Sequence, residues 1–215
     1  MNGLRGPVWV MPMMKPAWAR ETYESLDVDI RDRLIVVDNS TDGFPRDAED
    51  RMLAYVRRET NLGCSASWNI GRHEALSTFR PLVIVSEAVV FCDGGKAFDF
   101  LATTMPDVGI IRTDNAWHLT AIGWETMQRV GAFDVGFWPI YFEDTDYEHR
   151  ARLARHPVDV VTAPNIEGSF IDKGHARTWR EGWVSVDYNR QAWYYAAKWG
   201  GPPGAETYDE PWGGQ

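Results

Sequence analysis

Short apolar runs alternate with helical patterns along most of the chain. The runs VWVMPM at 8–13, LIVVD at 34–38 and LVIV at 82–85 are continuous, which is typical of strands covered on both faces. Further strands are predicted at 55–58, 108–112 and 158–162, and helices at 16–26, 47–55, 65–76, 96–105, 143–153 and 186–198. Strands that alternate with helices indicate an α/β fold with a mostly parallel sheet.

This pattern predicts one domain in three parts. Residues 1–165 would form the sheet-containing core, and residues 166–199 a helical extension that packs on the core. Residues 200–215 are rich in Gly and Pro, which favours an irregular tail. Five of the eleven tryptophans follow residue 178, and this excess fits either a packed core or a sugar-contacting surface.

Charge and cysteine content exclude several classes of protein. The net charge of −9 argues against a general binder of the phosphate backbone. Cys64 and Cys92 make neither a disulfide framework nor a zinc site, and a reducing compartment is expected. With no apolar run of ~18 residues and no secretory signal pattern, we expect a cytoplasmic protein.

Candidate chemistry is expected where the strands end. In sheets of this kind, ligands bind outside the carboxyl ends of the strands. Asp38 follows the second strand, and Ser86 and Glu87 follow the run at 82–85. No strand is followed by GxGxxG or GxxxxGK[ST], so the dinucleotide and P-loop motifs are missing from the sequence.

Three segments occur in the order and spacing of a known enzyme family. They are VVDNSTDG at 36–43, NLGCSASWNIG at 61–71, and VGAFD at 130–134 followed by EDTDY at 143–147. Together they resemble the family-2 glycosyltransferases with a GT-A fold, especially the rhamnosyltransferase-like members. The resemblance covers roughly residues 8–165 and implies a Rossmann-like, mostly parallel sheet flanked by helices. The Arg-rich, Lys-poor composition suggests a bacterial or bacteriophage source, hence the host cytoplasm if phage-encoded.

The resemblance implies catalytic and nucleotide-binding roles for particular residues. Glu143 and Asp144 would be catalytic, with Asp144 accepting the proton of an acceptor hydroxyl in an inverting displacement. General-base help of this kind contributes about a hundredfold to ten-thousandfold. The implied nucleotide-binding residues are Pro12, Asp38, Asn39, Asn61, Gly63 and Asn69.

Several of these residues also fit plainer roles. Asp38 could accept a hydrogen bond from a base edge such as the N3–H of uracil, or it could cap the turn that follows it. Asn39 and Asn69 could instead shape their loops. A Ser65 cap could begin the helix at 65–76. Asp146 could simply favour the positive end of its helix, an effect worth ~0.3–1 kcal/mol.

The metal-binding element of the family is altered here. The family carries an acidic residue after the fourth strand that helps to hold Mg²⁺ or Mn²⁺ on the diphosphate, and Ala88 occupies that position. Glu87 could replace it, with Glu167 or His175 as further ligands. The alternatives are metal-independent transfer, with basic groups that neutralise the diphosphate, and lost catalysis.

Acceptor and sugar contacts are predicted at Trp117, His118 and Trp124, although a structural role suits each of them. The donor is expected to be a nucleotide diphosphate sugar, with UDP favoured. The acceptor could be a protein, a glycan or a modified DNA base. The main alternative function is a non-catalytic module that binds nucleotide sugars or glycans. A nucleotidyltransferase ranks last, because the first strand is not followed by a Gly-rich basic loop.

Overall fold

The computed structural model describes residues 6–44, 47, 50–107, 109–113, 116–164, 166, 168–173 and 187–214. The strands in this part of the chain are β1 (Val8–Met13), β2 (Leu34–Asp38), β3 (Ala54–Arg57), β4 (Leu82–Val85), β5 (Val89–Phe91), β6 (Ile110–Arg112), β7 (Leu119–Ile122), β8 (Val160–Thr162) and β9 (Phe170–Asp172). The helices are α1 (Pro16–Ser25), α2 (Val28–Arg31), α3 (Gly63–Ser77), α4 (Lys96–Thr104), α5 (Trp124–Val130), α6 (Glu143–Leu153) and α7 (Asp187–Trp199).

The strands form a large sheet and a small one. The large sheet has the order β3-β2-β1-β4-β7-β6-β8, and the small sheet pairs β5 with β9. Within the large sheet only β7 runs antiparallel to its neighbours, β4 and β6. The predicted α/β fold with a mostly parallel sheet is therefore confirmed.

The core lies on both faces of the large sheet. Because successive side chains of a strand point to opposite faces, β1 supplies both layers. Trp9, Met11 and Met13 enter the cluster on one face, and Val8 and Val10 enter the cluster on the other. This double burial explains why the first apolar run is continuous.

Helix α3 approaches the sheet closely because of a glycine in the second motif. A Cβ added to Gly71 would lie 2.6 Å from Cβ of Val10, closer than real side chains pack. A larger residue at this position would push α3 away from β1, and α3 carries the residues at the edge of the site.

The sequence prediction was wrong at two places in this region. Residues 50–53 are irregular rather than helical, and Leu53 N–H already bonds to the carbonyl of Leu34 at 2.9 Å. Helix α3 begins at Gly63, not after a Ser65 cap. Two asparagines supply the capping oxygens instead: Oδ1 of Asn39 accepts from Leu62 N–H, and Oδ1 of Asn61 accepts from Gly63 N–H, both at 2.8 Å.

Helix α7 packs beside the start of α6. Its Tyr195 and Trp199 form a small apolar cluster with Phe137. The chain then folds back, because the N–H groups of Thr207 and Tyr208 both bond to the carbonyl of Trp199. Among the described helices, none is long and apolar enough to span a bilayer.

Candidate active site

In α/β sheets the ligand crevice is expected at the carboxyl ends of the strands where the strand order reverses, which here is between β1 and β4. The backbone N–H of Val8 donates to the β4 side, and the backbone carbonyl of Met13 accepts from the β2 side. Because the backbone groups of successive residues point to alternate neighbouring strands, those of Pro12 point toward β4. Pro12 has no N–H to donate, and the register between β1 and β4 stops at Val10. Strand order reverses at this point, which is where α/β sheets bind ligands. Pro12 therefore shapes the crevice by ending a ladder.

Asp38 lies at the end of β2, and its carboxylate is fully buried. Oδ1 accepts from the N–H and the hydroxyl of Ser40, at 2.9 and 2.6 Å. Oδ2 accepts from the Tyr55 hydroxyl, and Nε of Arg57 lies 3.6 Å away. Both oxygens have donors, which supports the turn-capping role. Base reading by Asp38 and the preference for uridine stay predictions.

The three asparagines of the first two motifs hold loops together. Both polar groups of the Asn39 amide are used, because Nδ2 also donates to Oγ of Ser67 at 3.0 Å. Asn69 exchanges two hydrogen bonds of 2.9 Å with the backbone of Phe133. This pair ties α3 to the VGAFD segment, so the side chains of Asn39 and Asn69 shape the loops, and their contact with a nucleotide stays a prediction.

Gly63 lets the loop at 138–142 close over the start of α3. Its φ of +78° is a left-handed conformation that favours glycine, and an added Cβ would lie 2.8 Å from the Pro139 carbonyl. The loop is fixed by Cys64 N–H, which donates to that carbonyl at 2.9 Å, and by Nε1 of Trp138, which donates to the Asn61 carbonyl at 2.9 Å. Gln191 of α7 donates to the Trp138 carbonyl. Asn61 and Gly63 thus place the segment that leads into α6.

Helix α6 begins with Glu143 and Asp144. Glu143 is 4% exposed, and its Oε2 has no hydrogen-bond partner within the described residues. Burial, together with the neighbouring charge of Asp144, raises the pKa of Glu143 well above 4.5. A hydrogen bond from the Cys64 thiol partly opposes this rise. Burial and the Glu143 and Glu87 carboxylates in turn raise the pKa of that thiol, which keeps Cys64 protonated.

Asp144 is half-buried and is the more available of the two carboxylates. Its Oδ1 accepts from the N–H and the hydroxyl of Thr145, at 2.7 and 3.2 Å. Burial raises the pKa of Asp144 above 3.8, while the Thr145 hydrogen bonds lower it. A carboxylate with a raised pKa and one oxygen not engaged by Thr145 is suited to accept a proton.

The other acidic residues of the third motif hold α7. Nζ of Lys198 lies 2.7 Å from Asp134 and 2.6 Å from Asp146. Asp146 is fully buried and also accepts from Trp199 Nε1 and Arg150 Nε, both at 2.9 Å. Asp134 caps the turn at Val135–Phe137 through Gly136 N–H. These acids connect the catalytic helix to the C-terminal helix.

The predicted metal ligands do not form a metal site in the described residues, where no group of three His, Cys, Asp or Glu is arranged to hold an ion. Oε2 of Glu87 accepts from the N–H groups of Met14 and Lys15, each at 2.8 Å, and so holds the loop that leads into α1. Ala88 is 3% exposed and packs in the core. Glu167 and His175 lie outside the described residues. Glu87 is thus a loop anchor in this structure, and its role as a metal ligand stays a prediction.

The three predicted acceptor residues lie in different places. Trp117 is a core residue whose ring stacks on Trp68 at 5.9 Å, which leaves it no face for a sugar. Trp124 follows β7, which is antiparallel, and thus lies at the opposite edge of the sheet. His118 does lie at the site edge, where Nδ1 is 2.5 Å from Oδ2 of Asp172 on β9. The expectation of sugar contact is corrected for both tryptophans.

Sequence reasoning missed Tyr55, Trp138 and Lys198. Lys198 could have been predicted to form a buried ion pair, since it is a charged residue within the aromatic segment YYAAKW. The roles of Tyr55 and Trp138 could not be predicted from the sequence, because their partners depend on strand order and on the closure of the loop at 138–142.

Replacing Glu143 by Gln is expected to stabilise the fold at neutral pH. A carboxyl whose folded-state pKa is raised opposes folding when it is ionised. The gain should be largest above that raised pKa and should disappear as the pH falls toward 4.5, where the unfolded chain also takes up the proton. Urea unfolding of both proteins at several pH values measures this difference. A gain that does not depend on pH would show that the charge is not its cause.

The fold matches those of several solved glycosyltransferases. A mannosyltransferase from Pyrobaculum calidifontis, in complex with GDP-Man and Mn²⁺, is 21% identical over 88% of this chain and 65% of its own, with a TM-score of 0.54. A Drosophila β1,4-galactosyltransferase 7 mutant, in complex with manganese, UDP-Gal and xylobiose, is 12% identical over 85% and 76%, with a TM-score of 0.55. Residues 1–349 of S. aureus TarS are 12% identical over 73% and 58%, with a TM-score of 0.51.

These similarities define the fold as GT-A. The chain spans 65% of the length of the mannosyltransferase and 58% of the TarS fragment. No protein-family model and no curated protein sequence matches the chain. Membership of family 2 and a bacterial or bacteriophage source stay predictions.

Proposed function

We propose that this chain is a glycosyltransferase that moves a sugar from a nucleotide diphosphate donor to an acceptor hydroxyl with inversion. The observation that carries the proposal is Asp144, which has a raised pKa and a carboxylate oxygen that Thr145 does not engage. It begins α6 next to the loop that closes over α3, on a fold shared with nucleotide-sugar transferases.

The donor would lie in the crevice beyond β1 and β4, which Pro12 opens and the start of α3 borders. Asp144 would accept the proton of the acceptor hydroxyl while that oxygen attacks the anomeric carbon. The bond from that carbon to the diphosphate breaks on the opposite face, so the configuration inverts. Glu143 stays buried, and burial together with the charge of Asp144 raises its pKa, which favours its neutral form beside an ionised Asp144.

None of these steps is routed through a divalent metal. Mn²⁺ accompanies the nucleotide sugars of the mannosyltransferase and the galactosyltransferase. Here the carboxylate nearest the corresponding position, Glu87, is engaged by two backbone N–H groups. Binding a metal through that oxygen would release the loop that leads into α1.

A nucleotide diphosphate is expected to raise the melting temperature equally in Mn²⁺ and in EDTA. A ligand at a hundred times its dissociation constant adds about 2.7 kcal/mol, or roughly 5–10 °C for a chain of this size. Thermal shift with UDP, GDP, dTDP, CMP and ADP would identify the base. No shift with any of them would contradict the donor site, and a shift only with Mn²⁺ would contradict Glu87 as a loop anchor.

A non-catalytic nucleotide-sugar-binding module is the second candidate, and the burial of Ala88 favours it. The two functions differ in one result. A module would bind the nucleotide sugar and release neither free nucleotide nor a glycosylated product, whichever acceptor is added. Binding together with turnover would support the transferase.

A further inference from the structure

Three exposed apolar side chains lie on the loop that leads into α6 and on the first turn of α7, which Gln191 joins to that loop through the Trp138 carbonyl. They are Trp138, Ile140 and Tyr188, which are 45%, 40% and 48% exposed, and we call this surface the aromatic platform. Two of its members lie on the loop that closes over α3, and Tyr188 lies on α7. Large apolar side chains grouped at a surface mark an interaction site more often than isolated ones do.

The platform is connected directly to the catalytic carboxylates. The Tyr188 ring packs against Tyr141 at 5.5 Å and against Phe142 at 5.2 Å, and these two residues immediately precede Glu143. Tyr141 and Phe142 both have left-handed backbone, with φ of 84° and 69°. Bulky residues adopt this conformation only where the surroundings impose it, and such strain clusters at ligand sites.

The charges around the platform select against an anionic occupant. Glu143 and Asp144 are acidic, and Glu143 Oε2 is buried without a hydrogen-bond partner in the described residues. Lys198 is committed to Asp134 and Asp146, as described above. The net charge of −9 on the chain disfavours a polyanion such as DNA as the occupant.

We propose that the aromatic platform binds a neutral sugar of a glycan acceptor, an inference that rests on the proposed transferase function. A sugar ring presents C–H groups that pack on aromatic faces and hydroxyls that donate to carboxylates. With its apolar face on Trp138 and Tyr188, the ring would direct a hydroxyl toward Asp144. A protein side chain or a DNA base offers this combination less well.

The test uses neutral trisaccharides of glucose, mannose and N-acetylglucosamine with saturation-transfer NMR. Trp138→Leu and Tyr188→Ser should weaken binding of the preferred sugar by roughly three- to tenfold. The matched control is Trp193→Leu, because Trp193 is 80% exposed and lies about 140° round α7 from Tyr188. Tyr188→Ser removes the ring contacts with Tyr141 and Phe142 but leaves the Trp138 hydrogen bond to Asn61, so it remains informative if Trp138→Leu unfolds.

Nucleotide binding, measured by thermal shift, is followed in Tyr188→Ser and Trp193→Leu, which leave the Trp138–Asn61 hydrogen bond at the start of α3 in place, and should not change. If neutral sugars fail to bind while a nucleotide still does, or if the platform variants bind like Trp193→Leu, the platform proposal is overturned and the transferase proposal stands. Binding of a single-stranded DNA oligonucleotide in place of the sugars would likewise overturn it. Platform-dependent sugar binding without any nucleotide binding would instead contradict the proposed transferase function.

Discussion

Replacing Asp144 with Asn is expected to slow sugar transfer by about a hundredfold to ten-thousandfold. Asparagine keeps the size of the side chain and an oxygen for the Thr145 hydrogen bonds, but it cannot accept the proton of the acceptor. The effect should therefore appear in turnover and not in nucleotide binding. In the wild-type protein, the acid limb of the pH–rate profile should lie above the ordinary aspartate pKa of 3.8, because burial raises the pKa of Asp144.

The comparison for this variant is Glu125→Gln, the same kind of change on an exposed acid of α5. Glu125 lies just beyond β7, at the edge of the sheet away from the crevice. The Glu125→Gln protein should transfer sugar at the wild-type rate. An Asp144→Asn protein that retains more than a tenth of wild-type turnover would show that Asp144 is not the base, and Glu143 would then be tested next.

Replacing Lys198 with Met is expected to cost about 3–5 kcal/mol of unfolding free energy, the typical loss when one member of a buried ion pair is removed. Lys198 is 5% exposed and neutralises two carboxylates, and Asp146 among them is fully buried. Methionine is close in length to the aliphatic part of the lysine side chain, so the loss of unfolding free energy reports the removed charge rather than lost packing. Equilibrium urea unfolding measures it.

Lys96→Met provides the matched control. Lys96 pairs with Asp27 at 2.9 Å, but its side chain is 68% exposed. Water already solvates such a pair, so the cost should stay below about 1 kcal/mol. Equal losses in the two variants would mean that burial of the Lys198 pairs contributes nothing.

Six of the nine described strands and five of the seven described helices were predicted, because each shows a local pattern, whereas the short elements β5, β9, α2 and α5 were not. Strands β1, β2 and β4 are buried on both faces, and their sequences are therefore continuous apolar runs that can be recognised without the structure. Strand β7 was not predicted, since LTAI is short and its partners are β4 and β6, about 35 and 10 residues away. The helix predicted at 47–55 is absent from the described residues of that range because Leu53 N–H bonds to β2. Local helix propensity carries no information about such a long-range contact.

The site was predictable at the level of motifs and less so at the level of roles. The position of Glu143 and Asp144 at a helix start followed from the sequence. The partners of Asp38 did not, because Tyr55 and Arg57 reach it only once β3 lies beside β2. Likewise Glu87 resembled a metal ligand until the fold placed it against Met14 and Lys15. Residue type indicates what a side chain is able to do, while its neighbours decide what it does.

The linkage between α7 and the third motif also bears on synthesis by the ribosome. Asp134 and Asp146 are translated more than fifty residues before Lys198. Until that lysine emerges, a partly folded chain carries these carboxylates without their counter-charge, and burial of Asp146 is unfavourable. We therefore expect the sheet to assemble during translation and the first turn of α6 to settle only after α7 has been made.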